Sequence, residues 1–254
     1  MKELEDILDE AIDIAEEASE IALSYFRQPL LIETKSNNTP VTVADKKTEE
    51  HMRKLLQQSF PGFGILGEEL GEESAGAQFV WTIDPIDGTR SFVRGIPLWG
   101  TLLGLLEYGK PIAGVMILPG LDEAYWAAKG LGAFCNDQQI HVSGQHDLKA
   151  SVIGAGDVYA FEETGTRKIY DKLIRETAIC RGYTDCFGHS LVLRGSLDAM
   201  IDPLVSIWDI APLAALITEA GGEYFDIHGN SDIRNSTFIT CTPGLKADLL
   251  KVTH

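Results

Sequence analysis

The chain has 254 residues, 44% of them hydrophobic, which suits one large globular unit or two packed halves. Its formal net charge of −17 argues against nucleic acid as a partner, because nucleic acid is itself densely negative. No apolar run reaches the roughly 18 residues of a membrane span, and the acidic start does not resemble a secretory signal, so we expect a cytoplasmic protein without a membrane partner.

The first sixty residues predict two helices. Apolar residues recur at helical spacing in the segment 4–28, which ends before a proline. The polar stretch 33–38 indicates a loop or hairpin. Thr42 is placed to cap a second helix over residues 43–59, which Pro61 and Gly62 terminate.

The middle of the chain reads as strands. Two apolar runs, 63–66 and 79–83, each lead into acidic residues. Three further runs, separated by turn residues that include Gly109-Lys110-Pro111, predict a β-meander: 102–107, 112–118 and 124–128. A meander is antiparallel, so the sheet is not purely parallel.

Helices and strands alternate in the remaining part. The predicted elements are strands at 150–155, 199–202 and 238–240, and helices at 162–177, around 190–195, at 208–220 and at 245–252. The pattern predicts a mixed α/β, or α+β, fold. A soft boundary near residues 143–150 divides it into halves 1–145 and 146–254.

Three acidic stretches stand at the ends of predicted elements. Glu68 and Glu69 follow the first apolar strand, Asp84 to Thr89 follow the second, and Asp209 lies at the start of a helix. Taken alone, these stretches are commonly a solvated charge pair, a turn and a helix N-cap, respectively. Their joint occurrence predicts a shared site.

The middle stretch, Asp-Pro-Ile-Asp-Gly-Thr, carries the clearest chemistry. Pro85 stiffens a turn between Asp84 and Asp87, whose oxygens are able to converge. Gly88 lets the backbone approach a ligand, and Thr89 begins a helix with free amides that suit phosphate. Oxygen-only ligands favour a hard cation such as Mg²⁺, which predicts metal-assisted phosphate hydrolysis.

Together these motifs resemble the inositol monophosphatase superfamily. The matching segments are Val41-Thr42-Val43-Ala44-Asp45, Gly67-Glu68-Glu69, Trp81 to Thr89, Trp208-Asp209 and Glu219-Ala220-Gly221-Gly222. The resemblance covers roughly residues 4–240. It implies a layered αβαβα sandwich and a homodimer.

The resemblance also implies the metal ligands. Glu68, Asp84 and the Ile86 carbonyl would hold a first Mg²⁺, while Asp84, Asp87 and Asp209 would hold a second. Glu68 would share a third, weaker ion. Glu69 would contact the metal ligands without binding a metal itself.

The remaining implied roles concern water and phosphate. Asp45 and Thr89 would orient the attacking water, together with Glu68 through its metal, and the Gly88 and Thr89 amides would bind phosphate.

Residues 181–189 form the region that sets substrate specificity. Its Asp-Cys-Phe-Gly segment resembles the histidinol-phosphate phosphatases of the superfamily, which predicts L-histidinol phosphate as the substrate. Thr184, Asp185 and Asp202 are the predicted substrate contacts, because a carboxylate pairs well with a cationic ligand. A structural role for Asp185 is the alternative, and His189 is more typical of a packed or surface histidine.

Three other functions stay open. The substrate is alternatively an inositol or another sugar-like phosphate. A haloacid-dehalogenase mechanism is disfavoured, because Asp84 and Asp87 are spaced one residue too far apart for its Asp-x-Asp motif. The third alternative is a non-enzymatic cation-binding scaffold.

Overall fold

The computed structural model describes residues 3–29, 32–34, 40–74 and 76–254. Its described residues form eight α-helices and two 3-10 turns, at Leu148–Ala150 and Pro243–Leu245. The helices are α1 (Leu4–Tyr25), α2 (Val43–Ser59), α3 (Thr89–Val93), α4 (Val158–Glu163), α5 (Arg167–Glu176), α6 (Asp185–Leu193), α7 (Ile207–Glu219) and α8 (Lys246–Thr253).

Fifteen strands lie in the same described ranges and form three sheets. They are β1 (Ile32–Thr34), β2 (Pro40–Thr42), β3 (Gly64–Gly67), β4 (Gly71–Glu73), β5 (Phe79–Asp87), β6 (Gly100–Glu107), β7 (Lys110–Leu118), β8 (Glu123–Ala128), β9 (Gly132–Cys135), β10 (Gln138–Ile140), β11 (Val152–Ala155), β12 (Ile179–Gly182), β13 (Ala199–Asp202), β14 (Glu223–Phe225) and β15 (Phe238–Cys241). The sheet orders are β1-β2, then β10-β9-β8-β7-β6-β5-β3-β4, and β12-β11-β13-β15-β14.

The two larger sheets each contain both parallel and antiparallel strand pairs. In the eight-stranded sheet β3 runs parallel to β5, and the predicted meander β6-β7-β8 is antiparallel. In the five-stranded sheet β11 runs parallel to β12 and β13, whereas β15 is antiparallel to β13 and β14.

The layers alternate between helices and sheets. Helices α1 and α2 pack on one face of the eight-stranded sheet. Helices α6 and α7 fill the space between the two large sheets. Helices α4, α5 and α8 cover the outer face of the five-stranded sheet. This arrangement confirms the predicted αβαβα sandwich.

The N-terminal helices match their predictions closely. Helix α1 ends at Tyr25, three residues before the predicted end. Helix α2 has its predicted bounds, and Thr42 and Asp45 form a reciprocal capping box at its start. Strands β1 and β2 pair antiparallel, while residues 35–38 of the predicted loop or hairpin lie outside the described residues.

Three predicted boundaries are wrong. The helix predicted over 162–177 is two helices, α4 and α5, because the chain turns at Gly165 with φ +69°. Lys110 and Pro111 open strand β7 instead of completing a turn. The helix predicted around 190–195 begins earlier, at Asp185, so α6 includes much of the predicted specificity region.

Helix α7 lies unusually close to the eight-stranded sheet. A Cβ at Gly114 would collide with the Pro212 carbonyl, and one at Gly104 would lie 2.8 Å from the Pro212 nitrogen. Pro212 has no N–H group to project toward the strands. Two glycines on β6 and β7 therefore set the height of α7, and with it the position of Asp209 in its first turn.

No helix among the described residues is both long and apolar enough to cross a bilayer.

Candidate active site

Asp84 and Asp87 lie together because strand β5 is irregular. Asp84 pairs with Leu102 and Asp87 with Gly100, so three steps along β5 match two along β6. In a regular strand, side chains three residues apart point to opposite faces, and a bulge removes this alternation. The backbone of the bulge is anchored by Thr101 Oγ1, which donates to the Pro85 carbonyl at 2.9 Å.

Asp209 completes an acidic cluster from the other half of the chain. Ligand oxygens of Asp84, Asp87 and Asp209 all lie within 4.8 Å of one another. Asp209 is not the N-cap of α7: Ser206 occupies that position, and its N–H donates to Asp209 Oδ2 at 2.8 Å. The fold thus brings three of the predicted metal ligands together.

Burial and mutual repulsion raise the pKa of every carboxyl in this cluster. Burial followed by the charge of Glu68 raises the pKa of Asp84 well above 3.8, and raises that of Asp209 to about 7. Burial followed by the charge of Asp185 raises the pKa of Asp87. Three ionised carboxylates at this spacing require a compensating cation. An all-oxygen donor set of this kind fits a hard divalent ion.

Glu68 borders the cluster from a neighbouring strand. Strand β3 is parallel to β5, so the residues that follow it lie at the same sheet edge as Asp84. The Glu68 N–H donates to the Ile83 carbonyl at 3.1 Å. Its charge raises the pKa of Asp45, Asp84 and Asp209.

Glu49 anchors the loop that carries Glu68, and the sequence analysis missed it. Glu49 is fully buried, and its oxygens accept the Glu69 N–H at 2.7 Å and the Leu70 N–H at 3.1 Å. Arg53 donates to Glu49 Oε1 at 2.8 Å. A Cβ at Gly67 would collide with Glu49 Oε1.

The signal for this anchor was present in the sequence. Asp45, Glu49 and Arg53 recur every four residues along α2, on its buried face. Charged residues on such a face are rare unless they are paired. Glu69, predicted to act from behind the ligands, is tied through its backbone to this pair.

Asp45 and Thr89 meet at the edge of the acidic cluster. Asp45 Oδ2 accepts the Thr42 N–H at 2.8 Å and the Thr42 hydroxyl at 2.7 Å. Asp45 Oδ1 lies 3.4 Å from Thr89 Oγ1, which also lies 3.0 Å from the Ile86 carbonyl. Burial raises the pKa of Asp45, and the charge of Glu68 adds to this rise. Oδ1 is therefore an unusually basic carboxylate oxygen.

Gly88 is required at the turn into α3. Its φ is +84°, and a Cβ there would lie 3.0 Å from the Leu98 carbonyl and 3.2 Å from Asp185 Oδ2. The backbone at Gly88 and Thr89 is therefore close to the segment that carries Asp185.

Asp185 joins the acidic cluster to the specificity region. The Cys186 N–H donates to Asp87 Oδ2 at 2.5 Å, which fixes the start of α6 against β5. Asp185 has φ +56°. Burial, then the charge of Asp202, raises the pKa of Asp185 to about 7, whereas a hydrogen bond from Thr184 lowers it. The predicted substrate contacts Thr184 and Asp185 are adjacent in the chain, and Asp202 lies 3.4 Å from His189, which follows Asp185 by one turn of α6.

His189 is buried beside Asp202 and is not a surface residue. Its Nδ1 lies 2.8 Å from Thr240 Oγ1, and its Nε2 lies 3.4 Å from Asp202 Oδ2. Asp185 and His189 are one helical turn apart on α6, a spacing that was a sequence signal for a shared face.

Comparisons with known proteins identify the family of the chain. A family model described as the inositol monophosphatase family matches residues 3–254. A histidinol-phosphatase from Chlorobaculum parvum is 38% identical over 88% of this chain and 86% of its own, and one from Mycobacterium tuberculosis is 36% identical over 86% of each. A fructose-1,6-bisphosphatase/inositol-1-monophosphatase from Aquifex aeolicus is 34% identical over 76% of this chain and 74% of its own.

Solved structures share the whole fold. The extragenic suppressor protein SuhB from Bartonella henselae superposes with a TM-score of 0.91 at 28% identity, over 98% of both chains. The site therefore lies in a fold that is similar to a known architecture over nearly the whole chain.

Proposed function

The chain belongs to the inositol monophosphatase family and is a phosphoric monoester hydrolase, and we propose that it hydrolyses L-histidinol phosphate with Mg²⁺. The observation that carries this proposal is the pair of neighbouring carboxylates, Asp185 and Asp202, beside the metal-type cluster. The family and its relatives support phosphatase chemistry in general. The carboxylate pair supports this particular substrate.

The charge of the pocket favours a cationic alcohol as the leaving group. Asp185 Oδ2 lies near Gly88, where the phosphate would bind, and the charge of Asp202 raises the pKa of Asp185. Two such carboxylates repel each other unless a cation lies between them. The ammonium group of L-histidinol would satisfy both, whereas a neutral polyol would leave the repulsion in place.

The relatives support the same assignment. The two histidinol-phosphatases reported above are 38% and 36% identical to this chain. The Aquifex relative, at 34% identity, favours a sugar or polyol phosphate as the second candidate.

The predicted ligands fit divalent cations. Asp84, Asp87, Asp209 and Glu68, together with the Ile86 carbonyl, would hold two Mg²⁺ ions, and Glu68 would share a third. Bound Mg²⁺ would supply Lewis acidity toward the phosphoryl oxygens and a more acidic water. With these ions bound, the carboxylates would stay ionised at neutral pH, because each cation would offset the repulsion between them.

Asp45 and Thr89 would orient the attacking water and take its proton. Both hydrogen bonds from Thr42 go to Asp45 Oδ2, which leaves Oδ1 directed at Thr89. When the Thr89 hydroxyl donates to the Ile86 carbonyl, its oxygen accepts from water. The raised pKa of Asp45 makes its Oδ1 a suitable proton acceptor.

The phosphate would lie against the start of α3. Gly88 and Thr89 present their backbone amides there, with the left-handed turn at Gly88 bringing the chain close. Thr184 would complete the alcohol side of the pocket. We also propose that the protein is a cytoplasmic homodimer, and sedimentation would test the dimer. Within each protomer, the two halves of the chain, 1–145 and 146–254, would each contribute part of the site.

A substrate panel tests the proposal directly. The purified protein with Mg²⁺ would be assayed on L-histidinol phosphate, its analogue without the amino group, myo-inositol 1-phosphate and fructose 1,6-bisphosphate. We expect the highest kcat/KM for L-histidinol phosphate. The Asp84→Asn variant, purified identically, controls for contaminating phosphatases. Faster turnover of either sugar-like ester would refute the substrate assignment and favour the second candidate.

A further inference from the structure

The carboxylate of Asp202 is confined on two sides. Its side chain is 12% exposed. On one side a Cβ at Gly156 would collide with Oδ1, and Pro203 Cδ would lie 3.4 Å from that Cβ. On the other side His189 Nε2 lies 3.4 Å from Oδ2. A buried carboxylate needs a hydrogen-bond donor or a cation to offset its lost hydration.

The imidazole of His189 has one bonded nitrogen and one without a partner. The side chain is 2% exposed and packs against Phe238, with ring centroids 5.1 Å apart. Nδ1 bonds to Thr240 Oγ1, whereas within the described part of the chain Nε2 has no partner in hydrogen-bond geometry. Asp202, on strand β13, lies close to that nitrogen, with Oδ2 at 3.4 Å from Nε2.

We propose that His189 is a positioning residue that orients Asp202 toward the cationic group of the substrate, with Thr240 holding the imidazole in the tautomer that this requires. This inference rests on the proposed function for the identity of the cation. The contact between His189 and Asp202 does not depend on which ester is hydrolysed.

The tautomer follows from the two neighbours of the ring. Asp202 offers only acceptor atoms, so Nε2 must carry the proton for the contact to be favourable. A neutral imidazole then accepts at Nδ1, and the Thr240 hydroxyl donates to it. Thr240 is buried on β15, the strand that pairs with β13. The two strands therefore hold both ends of the arrangement in register.

The functional consequence is substrate discrimination. Asp185 and His189 lie on one face of α6, and Asp202 faces them from the end of β13. One oxygen of the Asp202 carboxylate is confined by Gly156, and the other lies 3.4 Å from His189 Nε2. A hydrogen bond from Nε2 would make the carboxylate present a fixed edge to an ammonium group. Without His189 the carboxylate would rotate, and the cationic ester would lose its advantage.

Four variants and one control test this role. His189→Phe keeps a ring beside Phe238 but has no donor. In His189→Gln the amide nitrogen reaches the position of Nε2, whereas in His189→Asn it reaches that of Nδ1. Thr240→Val removes the donor to Nδ1. His51→Gln is the matched control, because His51 Nε2 also contacts a carboxylate, Glu17 Oε1 at 2.7 Å, in an exposed contact between α1 and α2.

The readout is the ratio of kcat/KM for L-histidinol phosphate to that for its analogue without the amino group. In His189→Phe and His189→Asn this ratio should fall about 10-fold, as expected when a hydrogen bond to a charged group is lost. His189→Gln should recover most of the ratio, and His51→Gln should not change it. An unchanged ratio in His189→Phe, or equal losses on both esters, would overturn the inference.

Ring ¹⁵N NMR provides a test that needs no substrate. In its neutral form, His189 should carry its proton on Nε2. Asp202→Asn should shift the Nε2 resonance, and Thr240→Val should mix the tautomers. A bare Nε2 in the wild-type protein would refute the role of His189. A wild-type protein without preference for the amino-bearing ester would refute the proposed substrate, and the NMR result would still decide this inference.

Discussion

Removing divalent metal should make the stability of the protein fall as the pH rises from about 5 to 8. Burial and the charge of Glu68 raise the folded-state pKa of Asp209 from 3.8 to about 7. The folded protein therefore keeps a proton that the unfolded chain has already released. This stabilisation is complete below the unfolded pKa near 3.8 and is lost as the pH rises through about 7.

The magnitude follows from the size of the shift. At 1.36 kcal/mol per pKa unit, a rise from 3.8 to about 7 corresponds to about 4 kcal/mol in all, and more than half of this falls between pH 5 and 8. For a chain of this size that loss lowers Tm by roughly 5–10 °C. Saturating Mg²⁺ should reverse the loss, because the ion binds the ionised carboxylates of the folded state only.

The assay is urea unfolding at several pH values, with EDTA and with Mg²⁺. In EDTA, Asp209→Asn should flatten the pH dependence by about the amount assigned to Asp209. Asp137→Asn, an exposed carboxylate between β9 and β10, should leave it unchanged and so accounts for the general effect of net charge. A metal-free protein whose free energy of unfolding stays level or rises over this range would refute the reasoning.

Three further perturbations follow from the geometry. Asp84→Asn should abolish turnover and weaken Mg²⁺ binding, because Asp84 lies at the centre of the acidic cluster; a near-normal kcat would contradict this. Asp185→Asn should reduce kcat/KM for L-histidinol phosphate by about 1.5–3 kcal/mol more than it reduces kcat/KM for a neutral ester. Equal reductions for both esters would show that Asp185 has a structural role. Gly67→Ala should displace the Glu68 loop by driving a methyl group into Glu49, measured as weaker Mg²⁺ binding by calorimetry; wild-type affinity would show that the loop adapts.

Local signals predicted a large part of the fold. The apolar spacing, the Thr42 cap and the Pro61-Gly62 stop together gave both ends of α2. The meander was predicted because its strands are long and continuously apolar. Strands β4, β9, β10, β12 and β14 have only three or four residues, which is too short for a period to be read.

The candidate site also has features that the sequence predicted and features that it did not. Asp84, Asp87 and Asp209 follow from motifs whose spacing is fixed in the sequence, and their approach to one another is seen in the fold. The contact between His189 and Asp202 could not be predicted, since it depends on how α6 lies over β13. The bulge in β5 was likewise hidden, because it is defined by the register with β6.

The acidic cluster draws its members from strand β5 and helix α7, with two carboxylates before the middle of the chain and the third in its C-terminal half. A ribosome has therefore released the first two well before the last one exists. Until α7 packs against the glycines of β6 and β7, a nascent chain contains Asp84 and Asp87 but has no complete acidic cluster. Enzymatic activity should therefore appear only after the C-terminal layers have packed on the eight-stranded sheet.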